Sequence, residues 1–488
     1  MLVGALLRLY RLGDESLWLD EVYSVLDVTT RSLPEIVLLP LDKLHLPVYY
    51  LILRFWTALF GFSEASLRAP SAFFGIASIV AIYLVATRLY DEQVGVLSAA
   101  VLALSSYHVH YSQETRMYSL FVLLTILSYY WLLRLAAERS RRSAAGYLGT
   151  TILLAYTHPF SLFVLLAQNI YVFVAPLFGQ HETLTVSFRR WIPLQTVLGA
   201  LIAPWLALAL ASSTDDSVGQ WIEEPVLSDF WGVLVTYLGW GASERELLVG
   251  GELLVDVRLV ALWLIIALVL VALSNRALVR SRTRRYVPTL RRRHDGTAHR
   301  ALLLVCWVVV PIVVPILLSS VLSPMIVPRY MIPASAGLFV LLASGIRALR
   351  YAHVNVLVAC VLVGLLVFPF VGYYAVDHRP QWDPATDYVE ENADTDDLVL
   401  VHEGPHSQYP FFHYFDREDV TTEAVANFDG DPQLQAAIEG EDTIWFVHRP
   451  PDRTHIIAEL EESHERVERQ SYHGVEVTRY EPIDDARV

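Results

Sequence analysis

Lysine is almost missing from this chain of 488 residues: Lys43 is the only one, and the remaining basic side chains are arginine. Cysteine is nearly missing as well. Cys306 and Cys360 both fall inside apolar runs, with no CxxC pair and no histidine beside them, which excludes a disulfide framework and a cysteine metal site and leaves packing as their role. No small-residue cleavage site precedes the first charged segment, so a cleavable signal peptide is excluded. No inverted internal repeat is visible, and such repeats are the usual mark of carriers that bind their cargo near the bilayer midplane.

What the chain has is apolar length. Hydrophobic residues make up 54% of it, and runs such as 258–274 and 301–322 are long enough to cross the hydrocarbon, which takes about 20 residues. Comparable runs predict about eleven spans: a short one before Gly13, then 71–90, 93–109, 116–135, 143–157, 159–178, 192–211, 257–274, 301–322, 333–349 and 354–374. Taking the N-terminus as cytoplasmic puts the arginine-bearing segments 134–142, 189–190, 276–300 and 347–350 on the cytoplasmic side. The basic stretch 276–300 is then a topological anchor rather than a nucleic-acid patch. The regions left outside are the loops 13–70, 108–114 and 212–256 and everything beyond Tyr374. The first run is only half of a crossing and carries Arg8 in its middle, so the expectation is a start further upstream, the alternative being an interfacial helix.

Residues 376–488 differ in kind. They are acidic, lack a long apolar run, and alternate strand-like stretches (397–403, 443–449) with helix-like ones (384–393, 455–467), which predicts a small extracytoplasmic α/β domain following a membrane domain of 1–375. Their acids set the formal net charge of −15. An acidic, lysine-poor surface fits high salt, where repulsion between acids is screened within a few ångströms; a halophilic archaeon is the expected source.

The first outer loop opens with Leu-Trp-Leu-Asp-Glu-Val-Tyr-Ser, which puts Asp20 and Glu21 between Trp18 and Tyr23, aromatics of the kind that settle at headgroup level. Adjacent carboxylates there suggest chemistry on a lipid. His45-Leu46-Pro47 then begins an aromatic helix, and the short second loop crowds His108, His110, Gln113, Glu114, Arg116 and Tyr118 into one turn. Such a density of polar groups at the membrane face is costly unless it lines a polar site. Trp221, Glu223, Glu224, Trp240 and Glu244 in the loop 212–256 are candidates for covering a cavity, although nothing in their spacing singles out a role.

In order along the chain, the Asp20-Glu21 pair, His-Leu-Pro-Val-Tyr-Tyr (45–50), Leu-Arg-Ala-Pro-Ser (67–71) and Ser-Gln-Glu-Thr-Arg-Met-Tyr (112–118) resemble the motifs of the GT-C superfamily of membrane glycosyltransferases. The branch is that of the protein O-mannosyltransferases, the aminoarabinose transferases and the archaeal dolichyl-phosphate-mannose-protein mannosyltransferases. Thr-His-Pro-Phe (157–160) and Pro-Arg-Tyr-Met-Ile-Pro-Ala (328–334) also look like that pattern, and Leu46 departs from it where a second proline is usual. The resemblance implies transfer of a hexose, mannose by default, from a polyprenyl (dolichyl) phosphate carrier to a hydroxyl of a protein, glycan or lipid acceptor in the cell envelope, with inversion. In that scheme Asp20 is the base. The departing phosphate needs cations rather than a proton donor, and Arg116, Arg329 and Lys43 are the candidates. Glu21 orients the acceptor or helps hold a divalent metal ion, for which Asp20, Glu21 and His45 are the candidate ligands. Tyr23, His45, His108, His110, Glu114, Tyr118 and His158 are candidates for the substrate pocket. The plainer readings stand beside these: loop histidines as hydrogen-bonding groups, Tyr23 and Tyr118 as belt aromatics, Asp20 as a helix cap. The alternative function is a transporter or flippase of lipid-linked sugars; no nucleic-acid partner is expected.

Overall fold

The computed structural model describes the chain except for residues 40–44, 213–225, 227–228, 241–250, 275–295, 320, 322–323, 376, 426–431, 440, 451–453 and 484–488. Lys43, Trp221, Glu223, Glu224, Glu244 and most of the basic stretch 276–300 lie outside the described residues. Two compact units are formed, one of Met1–Tyr10, Arg31–Gly61 and Leu67–Tyr374, the other of Arg11–Thr30, Phe62–Ser66 and Ala375–Val488.

The larger unit is helical, and each of the eleven apolar runs carries helix. By length and composition Glu64–Leu89, Tyr118–Glu138, Ser161–Phe178, Phe188–Leu208 and Thr297–Ser319 can each cross a membrane. A sixth candidate is bent: Glu92–Leu104 and Ser106–Ser112 meet at 64°. Four further apolar helices, Pro47–Phe60, Val257–Leu273, Pro333–Ala348 and Ala352–Val367, are shorter.

The bend shows what Arg8 is for. Ser105 ends the first helix and caps the second, its hydroxyl accepting from His108 N–H (3.3 Å) and donating to the Tyr237 carbonyl (2.8 Å). A helix that stops leaves its last carbonyls without partners. The buried Arg8 guanidinium donates to two of them, Leu102 O at 3.1 Å and Ala103 O at 3.2 Å, and to His108 Nδ1 at 3.1 Å. Gly75 makes room for this knot, since a Cβ there would collide with the Ser112 hydroxyl. An arginine that looks misplaced in an apolar helix is therefore the cap of a broken one.

Elsewhere polar side chains of the bundle interior pair with one another, as a low-dielectric setting favours. Tyr147 donates to Gln168 (2.8 Å), Gln168 to Ser128 (2.9 Å), and Ser128 pairs with Thr151 (2.9 Å). Tyr129 stacks on Trp307 with ring centres 3.8 Å apart, and the Trp307 indole donates to Pro333 O. Gly345 lets Pro333–Ala348 approach the backbone of the neighbouring helix at Leu268.

The smaller unit is built on a five-stranded sheet of order β2-β1-β3-β5-β4, with β1 Leu398–His402, β2 Thr421–Val425, β3 Ile444–His448, β4 His464–Tyr472 and β5 Val475–Pro482. β1 runs parallel to β2 and β3, β5 antiparallel to β3, and β4 antiparallel to β5. The alternation of β1 and β3 feeds two cores. Val399, Val401, Trp445 and Val447 join Trp382 and Phe411, while Leu398, Leu400, Ile444 and Phe446 join Ile456 and Leu460. The helix expected over 455–467 stops at Ser463. Residues 464–467 open β4 instead, because pairing with β5 and the His464 contact to Glu441 O (3.0 Å) override a helical pattern.

The segment Arg11–Thr30 packs into this same unit. Glu15 accepts from His378 N–H (2.9 Å), Ser16 from Asp383 N–H (3.1 Å), and Leu17 N–H donates to Tyr414 Oη (2.6 Å). The start of the stretch 13–70 is thus tied, by backbone donors and side chains, to the acidic domain that follows in sequence some 350 residues later.

Candidate active site

In the helical unit, three stretches far apart in sequence converge on Arg116. The chain turns tightly here, Arg116 N–H bonding back to Glu114 O at 2.7 Å, and enters the helix Tyr118–Glu138 just beyond. The buried guanidinium donates to Tyr50 Oη (3.3 Å) and to His45 Nε2 (3.2 Å), and the His45 and Tyr50 rings lie stacked 5.5 Å apart. A guanidinium has no acceptor, so His45 Nε2 is the acceptor and its proton sits on Nδ1. Ser71 anchors the turn from below, donating to Arg116 O (3.0 Å) while paired with Tyr49 (3.0 Å).

His158 completes the group. It lies between the helices Arg141–Ala155 and Ser161–Val174, its ring 4.7 Å from Phe121, 5.9 Å from Tyr118 and 5.3 Å from Tyr330. Its Nδ1 accepts from Phe160 N–H (3.2 Å), which fixes the proton on Nε2. Burial, reinforced by the Arg116 and Arg329 cations, pushes its pKa down from 6.5 to about 3, so it is a neutral donor near neutral pH. Arg329, from the turn Pro328–Met331, lies over the Tyr330 ring at 5.6 Å. The result is a set of donors, with Arg116 and His158 buried and Arg329 half-buried, walled by aromatic rings.

The neutral His158 has a measurable signature. Unfolded, the imidazole takes up a proton near 6.5; folded, it does so only near 3. Its burial therefore costs nothing above that window and destabilises progressively as pH falls through it. Thermal unfolding is expected to show a larger loss between pH 7 and 5 in the parent than in His158→Asn; equal losses would contradict a buried neutral imidazole.

The other histidines of the second loop do other work. His108 belongs to the Arg8 knot, and His110 faces Tyr111 (5.0 Å) and Tyr373 (6.0 Å). Gln113 accepts from Tyr373 (2.8 Å) and donates to Tyr10 O (2.8 Å), closing the end of the first helix. Glu114 is fully buried beside Arg116, and Tyr118 stacks towards Tyr330 with centres 6.4 Å apart.

In the sheet unit, the helix Leu19–Thr30 places Asp20 and Glu21 in its first turn, where carboxylates favour the positive end of the helix dipole. The two point different ways. Glu21 is fully buried and paired with Arg379 at 3.4 Å, and Arg379 also reaches Glu15 at 3.8 Å. Asp20 is partly exposed. Tyr23, one turn on, meets Tyr409 with ring centres 5.2 Å apart. His406, on the same helix as Tyr409, has its pKa lowered by burial and by Arg449, with Asp20 acting in the opposite sense. Removing one member of a buried ion pair costs about 3–5 kcal/mol. Glu21→Ala is accordingly expected to lower the unfolding temperature of this unit by several degrees, and an unchanged temperature would show that the pair does not hold the helix.

Tyr50, Tyr330 and Arg379 are the residues that reading the sequence does not single out. Tyr50 and Tyr330 stand inside the motifs, five residues after His45 and one after Arg329; Arg379 carries no signal beyond being a lone base in an acidic stretch. Among the described residues no three His, Cys, Asp or Glu side chains come together to hold a metal ion. Of the candidate ligands, Glu21 is engaged by Arg379 and His45 by Arg116.

Residues 44–207, which include His45, Tyr50, Arg116, Tyr118 and His158, match the model of the family described as dolichyl-phosphate-mannose-protein mannosyltransferase. Among solved structures the chain is similar to ArnT from Cupriavidus metallidurans bound to undecaprenyl phosphate, with 11% identity over 98% of this chain and 96% of that one and a TM-score of 0.56. The apo state of the same protein gives 10% identity, the same coverage and a TM-score of 0.55. The apo oligosaccharyltransferase of Archaeoglobus fulgidus is more remote, at 11% identity, 91% and 68% coverage and a TM-score of 0.49. A search among curated proteins finds no match. At such identities the likeness is one of architecture: the chain has the fold of the GT-C superfamily of membrane glycosyltransferases.

Proposed function

We propose that the chain is a glycosyltransferase that moves a hexose, mannose-like, from a polyprenyl (dolichyl) phosphate to a hydroxyl acceptor on the outer face of the membrane, with inversion at the anomeric carbon. The observation that carries this reading is the convergence of Arg116, His45, Tyr50 and His158, all within the stretch 44–207 that matches a mannosyltransferase family, with Arg329 acting on His158 from outside that stretch. Donors fixed in place, the forked guanidinium of Arg116 above all, suit a phosphate, whose charge grows as the glycosidic bond breaks.

The chemistry divides between the groups. The acceptor oxygen attacks the anomeric carbon from the side opposite the phosphate, and its proton passes to the Asp20 carboxylate. The bond from carbon to phosphate oxygen breaks, its electron pair leaving with the phosphate. The forked guanidinium of Arg116, with Arg329 and the Nε2–H of neutral His158, takes up the added charge without moving a proton. Glu21, held by Arg379, fixes the helix that carries Asp20. The N-terminus is assigned to the cytoplasm and the sheet domain to the outside.

The test uses the protein in lipid vesicles with a labelled polyprenyl-phosphate hexose and a hydroxyl acceptor. Release of free polyprenyl phosphate with label on the acceptor is expected. Passage of the intact lipid-linked sugar across the bilayer, with no release, would overturn the transferase in favour of a flippase.

A further inference from the structure

The far end of the helix Tyr118–Glu138 carries a second polar site that the transfer reaction does not use. Its 21 residues rise roughly 31 Å at 1.5 Å each, the thickness of the hydrocarbon core, so Arg116 before its start and Arg139 after its end mark opposite headgroup planes. Arg139 takes a left-handed backbone, φ 53°, and its carbonyl is held by Arg190 Nη1 at 2.7 Å. Arg190 comes from the first turn of Phe188–Ser212, a helix of 25 residues whose positive dipole end opens here.

Between these elements lies a cavity of about 150 Å³, the space of roughly five liquid waters. Its lining is divided. Leu135 and Ala136, nearly fully buried, form the side towards the bundle, while Arg139, Ser187 and Arg190 are exposed at the other, with Thr185 between. Two guanidinium groups and a hydroxyl over an apolar floor, at the level where a spanning helix ends, match the boundary between a lipid headgroup and its first acyl carbons. Arg141, Arg142 and Arg189, close to these residues in sequence, are exposed and do not line the cavity.

We propose that this cavity binds the phosphate of an anionic membrane lipid, with Arg139 and Arg190 as its cationic contacts. The occupant is a lipid rather than free phosphate because half of the lining is apolar and faces the bundle.

The test is native mass spectrometry of the full chain released from bilayers of equal phosphatidylglycerol and phosphatidylcholine. The parent is expected to retain one phosphatidylglycerol with about tenfold preference, and the pair Arg139→Asn with Arg190→Gln to lose it. Ser187→Trp, which blocks the cavity and keeps both cations, is expected to lose it equally, and it separates loss of the site from misfolding after the Arg190 contact is removed. Arg141→Gln, outside the cavity, is expected to change nothing. Full retention by Ser187→Trp, a loss in Arg141→Gln as large as in the double variant, or displacement of the lipid by millimolar inorganic phosphate would each overturn the proposal.

Discussion

Asp20→Asn is expected to lower hexose transfer by about 10²–10⁴-fold, the range a positioned general base contributes, while leaving the unfolding temperature of the protein close to that of the parent. Two features separate the effects. Asp20 is partly exposed on the first turn of its helix, where its charge contributes a helix-dipole term of about 0.3–1 kcal/mol. Glu21, its neighbour, is fully buried against Arg379. Its loss should appear first in stability. The pair of variants therefore dissects two adjacent acids with one assay of turnover and one of unfolding. Parent-level transfer by Asp20→Asn would remove that carboxylate from the chemistry.

The second large effect is expected at Arg116. Arg116→Gln removes the guanidinium that bonds Tyr50 and His45, and it should reduce turnover by about 10²–10³-fold, as loss of a fixed donor to a developing anion does. Arg116→Lys keeps the charge but not the planar fork, so it should fall between the two. The kinetic form is diagnostic. If the contact strengthens as the phosphate departs, kcat and kcat/KM fall together; a rise in KM with kcat unchanged would mean that Arg116 only holds the carrier.

The helices and the sheet domain were legible from local pattern, because apolar length and period-two alternation are written into contiguous residues. The eleven apolar runs all carry helix, and β1 and β3 stand within the two strand-like stretches. The miss at 464–467 has a physical cause: an amphipathic run there satisfies a helix locally, but β5 offers a full ladder of partners that local pattern does not record. The candidate site was legible only as far as motifs reach. His45, Arg116 and His158 stand in three separate motifs, and no periodicity states that His45 and Arg116, 71 residues apart, share a hydrogen bond. Arg8 shows the same limit from the other side. Alone it looks like an error in an apolar helix, and its purpose depends on a break at Ser105 that only the folded bundle reveals. Glu21 needed Arg379, which no motif marks.

The seat of the carrier phosphate is the centre of this account, and a structure of the Asp20→Asn protein with a bound polyprenyl-phosphate hexose tests it most directly. The phosphate is predicted to lie within hydrogen-bond reach of the Arg116 guanidinium and His158 Nε2, with Arg329 close by. A phosphate bound elsewhere, with Arg116 still turned only to Tyr50 and His45, would contradict it.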